Sequence, residues 1–168
     1  MSLPTEMNNP AEATSGAGAT AHAMRSDMHW LLRHFVAEVA GVTHAVLLSR
    51  DGLRLLDSEV DKNWADELSA GLSGIDSIAK NLTGPSHKKR PAGQVIIERE
   101  DCLIFVLRAG SSTAFDNHTG SKVKDTILGV VATPDADVGA VGFEIGRLVQ
   151  KFAPFMQVPV RERPDGER

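Results

Sequence analysis

The sequence predicts an α+β fold in which a single antiparallel sheet is covered by helices. Apolar residues recur at helical spacing in three segments, and five short β-rich runs lie between them. The predicted order of elements is α-β-β-α-β-β-β-α. Because hairpins alternate with helices and no strand–helix–strand unit repeats, we expect a sandwich of this kind rather than a doubly wound parallel sheet.

The composition is that of a globular domain. Apolar residues make up 42% of the 168 residues, and the formal net charge is −4, whereas nucleic-acid-binding domains usually carry a basic face. No apolar run approaches the roughly 18 residues of a membrane span, and the chain does not begin like a signal peptide. The single cysteine, Cys102, excludes a disulfide within the chain. We expect a cytoplasmic protein, with any recruitment to a membrane complex occurring through its partners.

Both ends of the chain are predicted to be disordered. Residues 1–25 are rich in Ala, Gly and Thr and hold few large apolar side chains, so they bury too little surface to offset the entropy of ordering. Residues 158–168 are charged and contain proline. The folded domain is predicted to cover residues 26–157.

The first helix and the hairpin after it have clear local signals. The helix is predicted to begin at Ser26 or Asp27 and to end before Gly41, which suits the left-handed position after a helix. Two strands follow, at Val42–Ser49 and 53–58. The turn Arg50-Asp51-Gly52 joins them, because Asp-Gly readily adopts the positive φ angles of a tight hairpin.

A second helix is predicted over residues 61–82, with Asp61 as its cap. Its buried stripe is predicted to consist of Trp64, Leu68, Leu72, Ile75, Ala79 and Leu82. Small residues share another face, namely Ala70, Ser73, Gly74 and Ser77. Each glycine inside a helix costs roughly 0.5–1 kcal/mol relative to alanine, so some contact must offset it. We interpret this face as a docking surface, with packing against the chain itself as the alternative.

Three strands are predicted next, at residues 94–99, 102–108 and 126–133, with a polar stretch over 110–125. The last helix has its apolar stripe at Val138, Val141, Ile145, Leu148, Val149 and Phe152. Acidic residues at its start, Asp135 and Asp137, are interpreted as caps, since free N–H groups and the helix dipole favour carboxylates there.

No motif for catalysis or for a cofactor is present. The chain lacks a Gly-x-Ser-x-Gly elbow and a His-Glu-x-x-His motif. The segment Thr119-Gly120-Ser121-Lys122 has the letters of a phosphate-binding loop in the wrong order. Its six histidines are scattered. We therefore expect a protein that is not an enzyme and that holds neither a cofactor nor a metal.

Two segments resemble the roadblock/LC7 domain family. Residues 41–53, GVTHAVLLSRDGL, resemble the opening hairpin of these domains. The run Asp135-Ala136-Asp137-Val138-Gly139 and the helix after it resemble their last helix, and the order of elements also matches. The resemblance covers about residues 27–157. It looks closest to actinobacterial members from conservons, gene clusters that also encode a sensor kinase and a Ras-like GTPase.

The resemblance implies a five-stranded antiparallel sheet with the first and last helices on one side and the second helix on the other. It also implies a homodimer that pairs second helices and joins sheet edges at the third strand. The interface residues expected on this basis are Ala70, Ser73, Gly74, Ser77, Gln94, Ile96 and Glu98. The polar stretch 110–125 is longer than the tight turn that the family pattern suggests.

The function expected from the sequence is a non-enzymatic platform that binds and regulates a Ras-like small GTPase within a signalling complex. The sensor kinase and other proteins of the same gene cluster are further expected partners. A small-molecule sensor domain is the alternative, because related helix–sheet sandwiches hold ligands between a helix and the sheet. A sensor needs a concave pocket with a few buried polar groups, and His44 is the one polar residue that the predicted core offers.

Overall fold

The computed structural model describes residues 10–115 and 124–156. The helices in this part of the chain are α1 (Pro10–Glu38), α2 (Lys62–Asn81) and α3 (Val138–Phe152), and a short 3₁₀ turn, Ala153–Phe155, follows α3. The strands are β1 (Val42–Ser49), β2 (Arg54–Asp57), β3 (Gln94–Glu98), β4 (Leu103–Ser112) and β5 (Lys124–Ala132). They form one antiparallel sheet in the order β2-β1-β5-β4-β3. The predicted α+β sandwich with a five-stranded sheet is confirmed.

The two faces of the sheet carry separate hydrophobic cores because successive side chains of a strand point to opposite faces. On one face, Leu47, Phe105 and Leu128 pack with α1 and α3, whose buried residues include Leu32 and Ile145. Val46, Val106 and Ile127 cover the other face together with Ala65 and Leu72 of α2. The helices therefore lie on the sides that the family resemblance implies.

Two predicted caps and the two glycine positions are confirmed, whereas the predicted cap at Ser26 or Asp27 is wrong because α1 runs through both residues. Of the pair Asp51-Gly52, only Gly52 has a positive φ angle. Asp61 accepts a hydrogen bond from the Trp64 N–H at 3.0 Å, and Asp137 accepts one from the Ala140 N–H at 2.8 Å. Gly41 and Gly52 have φ angles of 84° and 88°, in the left-handed region that favours glycine. A side chain at Gly41 would also collide with Ala136, since an added Cβ would lie 2.6 Å from the Ala136 Cβ atom.

The first helix is longer than predicted. It begins at Pro10, so the prediction of a disordered N-terminal tail does not hold for residues 10–25. Alanine is the strongest helix former, and this segment is alanine-rich. That propensity favours a helix where composition alone suggested disorder. Residues 1–9 and the predicted C-terminal tail lie outside the described residues.

The fourth and fifth strands are also longer than predicted. Gly110, Ser111 and Ser112 pair with Thr126, Asp125 and Lys124, so both ends of the predicted polar stretch belong to the sheet. A register shift between Arg108 and Gly110 accompanies the φ angle of 100° at Gly110. The extension was missed because its polar side chains interrupt the apolar pattern. Residues 116–123 of that stretch lie outside the described part of the chain.

Candidate interaction surface on the second helix and third strand

The buried face of α2 differs from the predicted stripe. Ala65, Ser69, Leu72 and Asp76 are buried, whereas Trp64 is 37% exposed and Leu82 is 66% exposed. Leu68, Ile75 and Ala79 are half-buried. Compared with the prediction, the helix is thus rotated about its axis, and Trp64 and Leu82 of the predicted stripe lie outside the core.

Two contacts on the sheet explain this orientation. Leu72 packs directly over Gly129 of β5, where an added Cβ would lie 2.1 Å from the Leu72 Cδ1 atom. Asp76 is only 6% exposed and accepts hydrogen bonds from Arg108 of β4, at 3.3 Å to Nε and 3.4 Å to Nη2. A buried carboxylate needs such a partner because burying an unpaired charge is costly. Neither contact could be found from the local sequence of α2.

One side of α2 therefore presents an apolar row to solvent, which we call the apolar flank of α2. It consists of Trp64, Leu68, Gly71, Ile75, Ile78 and Leu82, which alternate at spacings of four and three residues. Ile78 and Leu82 are each 66% exposed. Trp64 packs edge-on against His44, with 4.9 Å between the ring centroids. Contiguous exposed apolar surface of this kind is typical of a protein contact site.

The small residues of α2 do not form one free face. The Ser73 hydroxyl donates a hydrogen bond of 2.7 Å to the Arg50 carbonyl, so this residue contacts the β1–β2 hairpin. The hairpin also approaches Ala70, whose Cα atom lies 3.4 Å from a Cβ built at Gly52. Gly74 and Ser77 are exposed, and an added Cβ at Gly74 would meet no atom within 4 Å. Ser73 therefore packs against its own chain, and Ala70 does so on the side that faces the hairpin.

Strand β3 is the edge of the sheet on the β4 side, and within the described residues no strand pairs with its outer side. Val95 and Ile97 are half-buried beside the core under α2. Gln94, Ile96 and Glu98 are exposed, and they project from the opposite face because side chains alternate along a strand. Gln94 accordingly lies beside α3, with its Nε2 atom 3.8 Å from a Cβ built at Gly142.

The predicted interface residues are therefore divided between two faces of the sheet. Those of α2 lie above one face, and Gln94, Ile96 and Glu98 project from the other. The apolar flank adjoins β3, because its half-buried residues Leu68 and Ile75 belong to the same core cluster as Val95. The open backbone edge of β3 and the apolar flank are the features that this geometry brings together. Ile78 and Leu82 are the most exposed members of the flank. Leu82 was predicted to lie in the core, and Ile78 was predicted neither for the core nor for the interface.

The described residues contain no group of three or more His, Cys, Asp or Glu side chains that could hold a metal ion.

Three polar side chains contact one another near the turn of the first hairpin, namely Arg50, Ser111 and Asp125. Asp125 accepts a 2.6 Å hydrogen bond from Ser111 and a 2.9 Å hydrogen bond from Arg50. These bonds lower the pKa of the Asp125 carboxyl, with Ser111 the larger cause.

None of the described helices has both the length and the apolar character that crossing a bilayer requires.

Comparison with known proteins identifies the family. The model of the roadblock/LC7 domain matches residues 28–115, just over half of the chain. The chain belongs to the roadblock/LC7 family. No protein of curated function matches the sequence.

Solved structures of roadblock/LC7 domains are similar to this chain. A roadblock/LC7 domain from Streptomyces avermitilis is 31% identical with a TM-score of 0.62, and the match covers 76% of this chain and 95% of that one. The gliding protein MglB from Thermus thermophilus is 19% identical with a TM-score of 0.62, and the match covers 79% and 90%. MglB in a tetrameric arrangement is 18% identical with a TM-score of 0.63, again with 79% and 90% covered. At these identities the MglB structures establish the shared fold.

Proposed function

We propose that this roadblock/LC7 protein is a homodimeric, non-enzymatic platform that binds and regulates a Ras-like small GTPase in a cytoplasmic signalling complex. The observation that carries the proposal is the exposed apolar flank of α2 beside the open edge of β3. Ile78 and Leu82, each 66% exposed, belong to a flank that adjoins β3, whose outer edge pairs with no strand of the described residues. Such a combination favours association with another protein over catalysis.

Dimerisation follows from the cost of leaving this surface bare. An open strand edge offers backbone donors and acceptors to any other strand, and natural proteins usually cover it. In a twofold dimer, the β3 edges of two protomers would pair and the apolar flanks would cover each other, so one patch serves both subunits. The tetrameric arrangement of MglB supports self-association as a property of this fold.

The GTPase partner is proposed from the family resemblance. Two features of the chain support it. The described residues offer no metal-binding group, and α2 presents a face almost free of long charged side chains between Leu68 and Ala79. The sensor kinase and other proteins of a conservon-type gene cluster are proposed as further members of the complex, which partners would recruit to a membrane.

The small-molecule sensor hypothesis has less support. Such a site needs a concave, mostly apolar pocket with a few buried polar groups. Two clefts in the described residues are lined by charged side chains, among them Arg54 in one and Arg108 in the other. His44, the polar residue that the sequence placed in the core, packs against Trp64 at the surface instead.

The test is a pair of matched substitutions, Ile78→Asp on α2 and Phe143→Asp on α3. Both replace an apolar side chain that is about two-thirds exposed, at 66% and 67%, on opposite faces of the sheet. We expect the wild type and Phe143→Asp to be dimers by light scattering at about 100 μM and Ile78→Asp to be monomeric, since burying a carboxylate in an apolar interface is costly. Calorimetry with a Ras-like GTPase of the same organism should show binding by the two dimers.

Three results would contradict parts of the proposal. A wild-type monomer at that concentration excludes the dimer. Equal effects of the two substitutions exclude the α2 surface as its site. A folded wild-type dimer that binds the GTPase in neither its GDP form nor its GTP form excludes the partner.

A further inference from the structure

A basic loop lies between the end of α2 and the start of β3, at residues 83–90. Three consecutive residues of this loop, Lys88, Lys89 and Arg90, are exposed. A β-bridge between Thr83 and Lys89 closes the loop beside the end of α2. Within the described residues, none of the three cations forms an ion pair or a side-chain hydrogen bond. The loop therefore carries three positive charges that the protomer itself does not neutralise.

An acidic turn, residues 98–101, lies at the other end of the same strand. It carries three carboxylates and one guanidinium, which gives a net charge of −2. The Arg99 guanidinium is bound to Asp101, with 2.9 Å between Nε and Oδ1. Glu98 and Glu100 are exposed, and neither forms an ion pair in the part of the chain that the structure describes. The turn thus retains negative charge after its own ion pair is counted.

The basic loop and the acidic turn are too far apart to neutralise each other within one protomer. The five residues of β3 separate them, and a strand of that length spans roughly 17 Å. The screening length at physiological salt is only about 8 Å, so the attraction between the two ends is largely lost. Each protomer therefore presents opposite charges at the two ends of one open strand edge.

Antiparallel pairing of two β3 edges would bring each basic loop to the acidic turn of the other protomer. A twofold axis perpendicular to the sheet makes the paired strands antiparallel and keeps both α2 helices on one face. In a pairing centred on Ile96, the middle residue of β3, Ala92 lies opposite the partner's Glu100. Arg90 precedes Ala92 by two residues, roughly 7 Å of extended chain, which a long side chain can span. Parallel pairing would bring like charges together instead.

We propose that the charged ends of β3 select a second copy of this chain, in antiparallel orientation, as the strand that covers this edge. The basic loop of each protomer pairs with the acidic turn of the other, so the contact is made twice in the dimer. This selection rests on the homodimer of the proposed function and determines its orientation. Exposed ion pairs add little affinity, whereas like charges brought together exclude a wrong partner.

Two double variants of the full chain each reverse one end of the strand. Lys89→Glu with Arg90→Glu makes both ends acidic, and Glu98→Lys with Glu100→Lys makes both ends basic. By analytical ultracentrifugation we expect each variant alone to dimerise roughly tenfold or more weakly than the wild type, since like charges meet at both junctions. Mixed in equal amounts, the two variants should form a heterodimer of about wild-type affinity, which native mass spectrometry identifies. The variant with all four substitutions should form a homodimer again.

Charge reversals elsewhere on the surface serve as controls. Glu38→Lys on α1 and Lys151→Glu on α3 change exposed side chains on the helices that cover the other face of the sheet, and they should leave the affinity unchanged. Neutralising one exposed carboxylate, as in Glu100→Gln, removes little, so the test reverses two charges at once. High salt should reduce the difference between the double variants and the wild type, because exposed charges are screened. Circular dichroism should show every variant folded.

Each contrary result has a distinct meaning. A wild-type dimer whose affinity is unchanged in both double variants overturns the selection by charge and leaves the proposed dimer standing, whereas a wild-type monomer contradicts both. Homodimers as abundant as the heterodimer in the mixture show that charge does not select the partner. Binding of the wild type to phosphatidylserine vesicles that is lost in Lys89→Glu with Arg90→Glu, while the dimer is unaffected, assigns the basic loop to an anionic membrane instead.

Discussion

Asp125 lies at the start of β5, and its carboxylate connects β4 to the turn of the first hairpin through hydrogen bonds. Ser111 of β4 donates one hydrogen bond to it, and Arg50 of the hairpin turn donates another. Both bonds favour the charged form, which is why the pKa of Asp125 is lowered. A depressed folded-state pKa contributes stability above the unfolded value, and this contribution disappears as the pH falls through the folded value.

We expect Asp125→Asn to lower the free energy of unfolding at neutral pH by about 0.5 kcal/mol, because half-exposed ion pairs contribute little. The difference from the wild type should shrink as the pH falls below the usual carboxyl value and should vanish below the lowered pKa of the folded state. Urea unfolding at a series of pH values measures it. Glu100→Gln, at an exposed turn carboxylate, should have no effect at neutral pH. A difference between Asp125→Asn and wild type that persists unchanged to the lowest pH would contradict this account.

At the scale of elements, the position of α2 on the sheet depends on one ion pair and one glycine. The close approach at Gly129 brings Leu72 against the sheet, and Asp76 reaches Arg108 on β4. Removing one member of a buried pair leaves an uncompensated charge, whereas replacing both with apolar residues is often neutral. The pair therefore fixes the rotation of α2 more than it adds stability.

We expect Asp76→Ala to lower the free energy of unfolding by roughly 1–3 kcal/mol, since Arg108 would be left partly buried without a partner. The double variant Asp76→Leu, Arg108→Met should recover most of that loss. Asp101→Ala, which removes an exposed pair with Arg99 at 2.9 Å, serves as the control and should cost less than about 1 kcal/mol. Urea midpoints check all three. A double variant as unstable as Asp76→Ala would mean that the charge pair itself stabilises the fold.

Local signals made most of the elements predictable. Asp61 and Asp137 cap helices through hydrogen bonds to nearby N–H groups, and Asp51-Gly52 makes a turn whose geometry depends on two residues. The rotation of α2 was not predictable, because it depends on Gly129 and Arg108, which lie far away in sequence. An apolar pattern assigns the largest side chains to the core, so it could not show that Ser69 and Asp76 are buried while Leu82 is exposed.

The division of the predicted interface has a similar cause. Residues on α2 and β3 were grouped by family pattern, but the pattern gives no information about which face of a strand each side chain occupies. The structure places Gln94 beside α3, and so on the face opposite α2. The contribution of β3 to the proposed dimer therefore comes from its backbone edge. The side chain of Ile96, which is 45% exposed, would lie beside the paired β3 strands on the face that carries α3.

At the scale of the whole molecule, each end of the sheet has an outer edge that no other described strand covers. The β3 edge adjoins the apolar flank of α2, and the β2 edge adjoins a cleft against α1. The apolar surface at the β3 edge suits a like subunit, as in the dimer proposed above.

The last prediction links dimerisation to partner binding through Gly74. This residue is exposed, lies one turn before Ile78 on α2, and has open space around its Cβ position. We expect Gly74→Arg to weaken the dimer and GTPase binding in parallel, each by roughly tenfold or more, because a long charged side chain would be buried at the subunit contact. Gly146→Arg is the matched control, since Gly146 is also an exposed helical glycine with nothing within 4 Å of an added Cβ, but it lies on α3.

Circular dichroism should show both variants folded. Light scattering then measures dimerisation, and calorimetry measures GTPase binding. GTPase binding that persists at full strength in a monomeric Gly74→Arg variant would show that the partner contacts a single protomer, and a loss of fold would show that this face packs inside the chain.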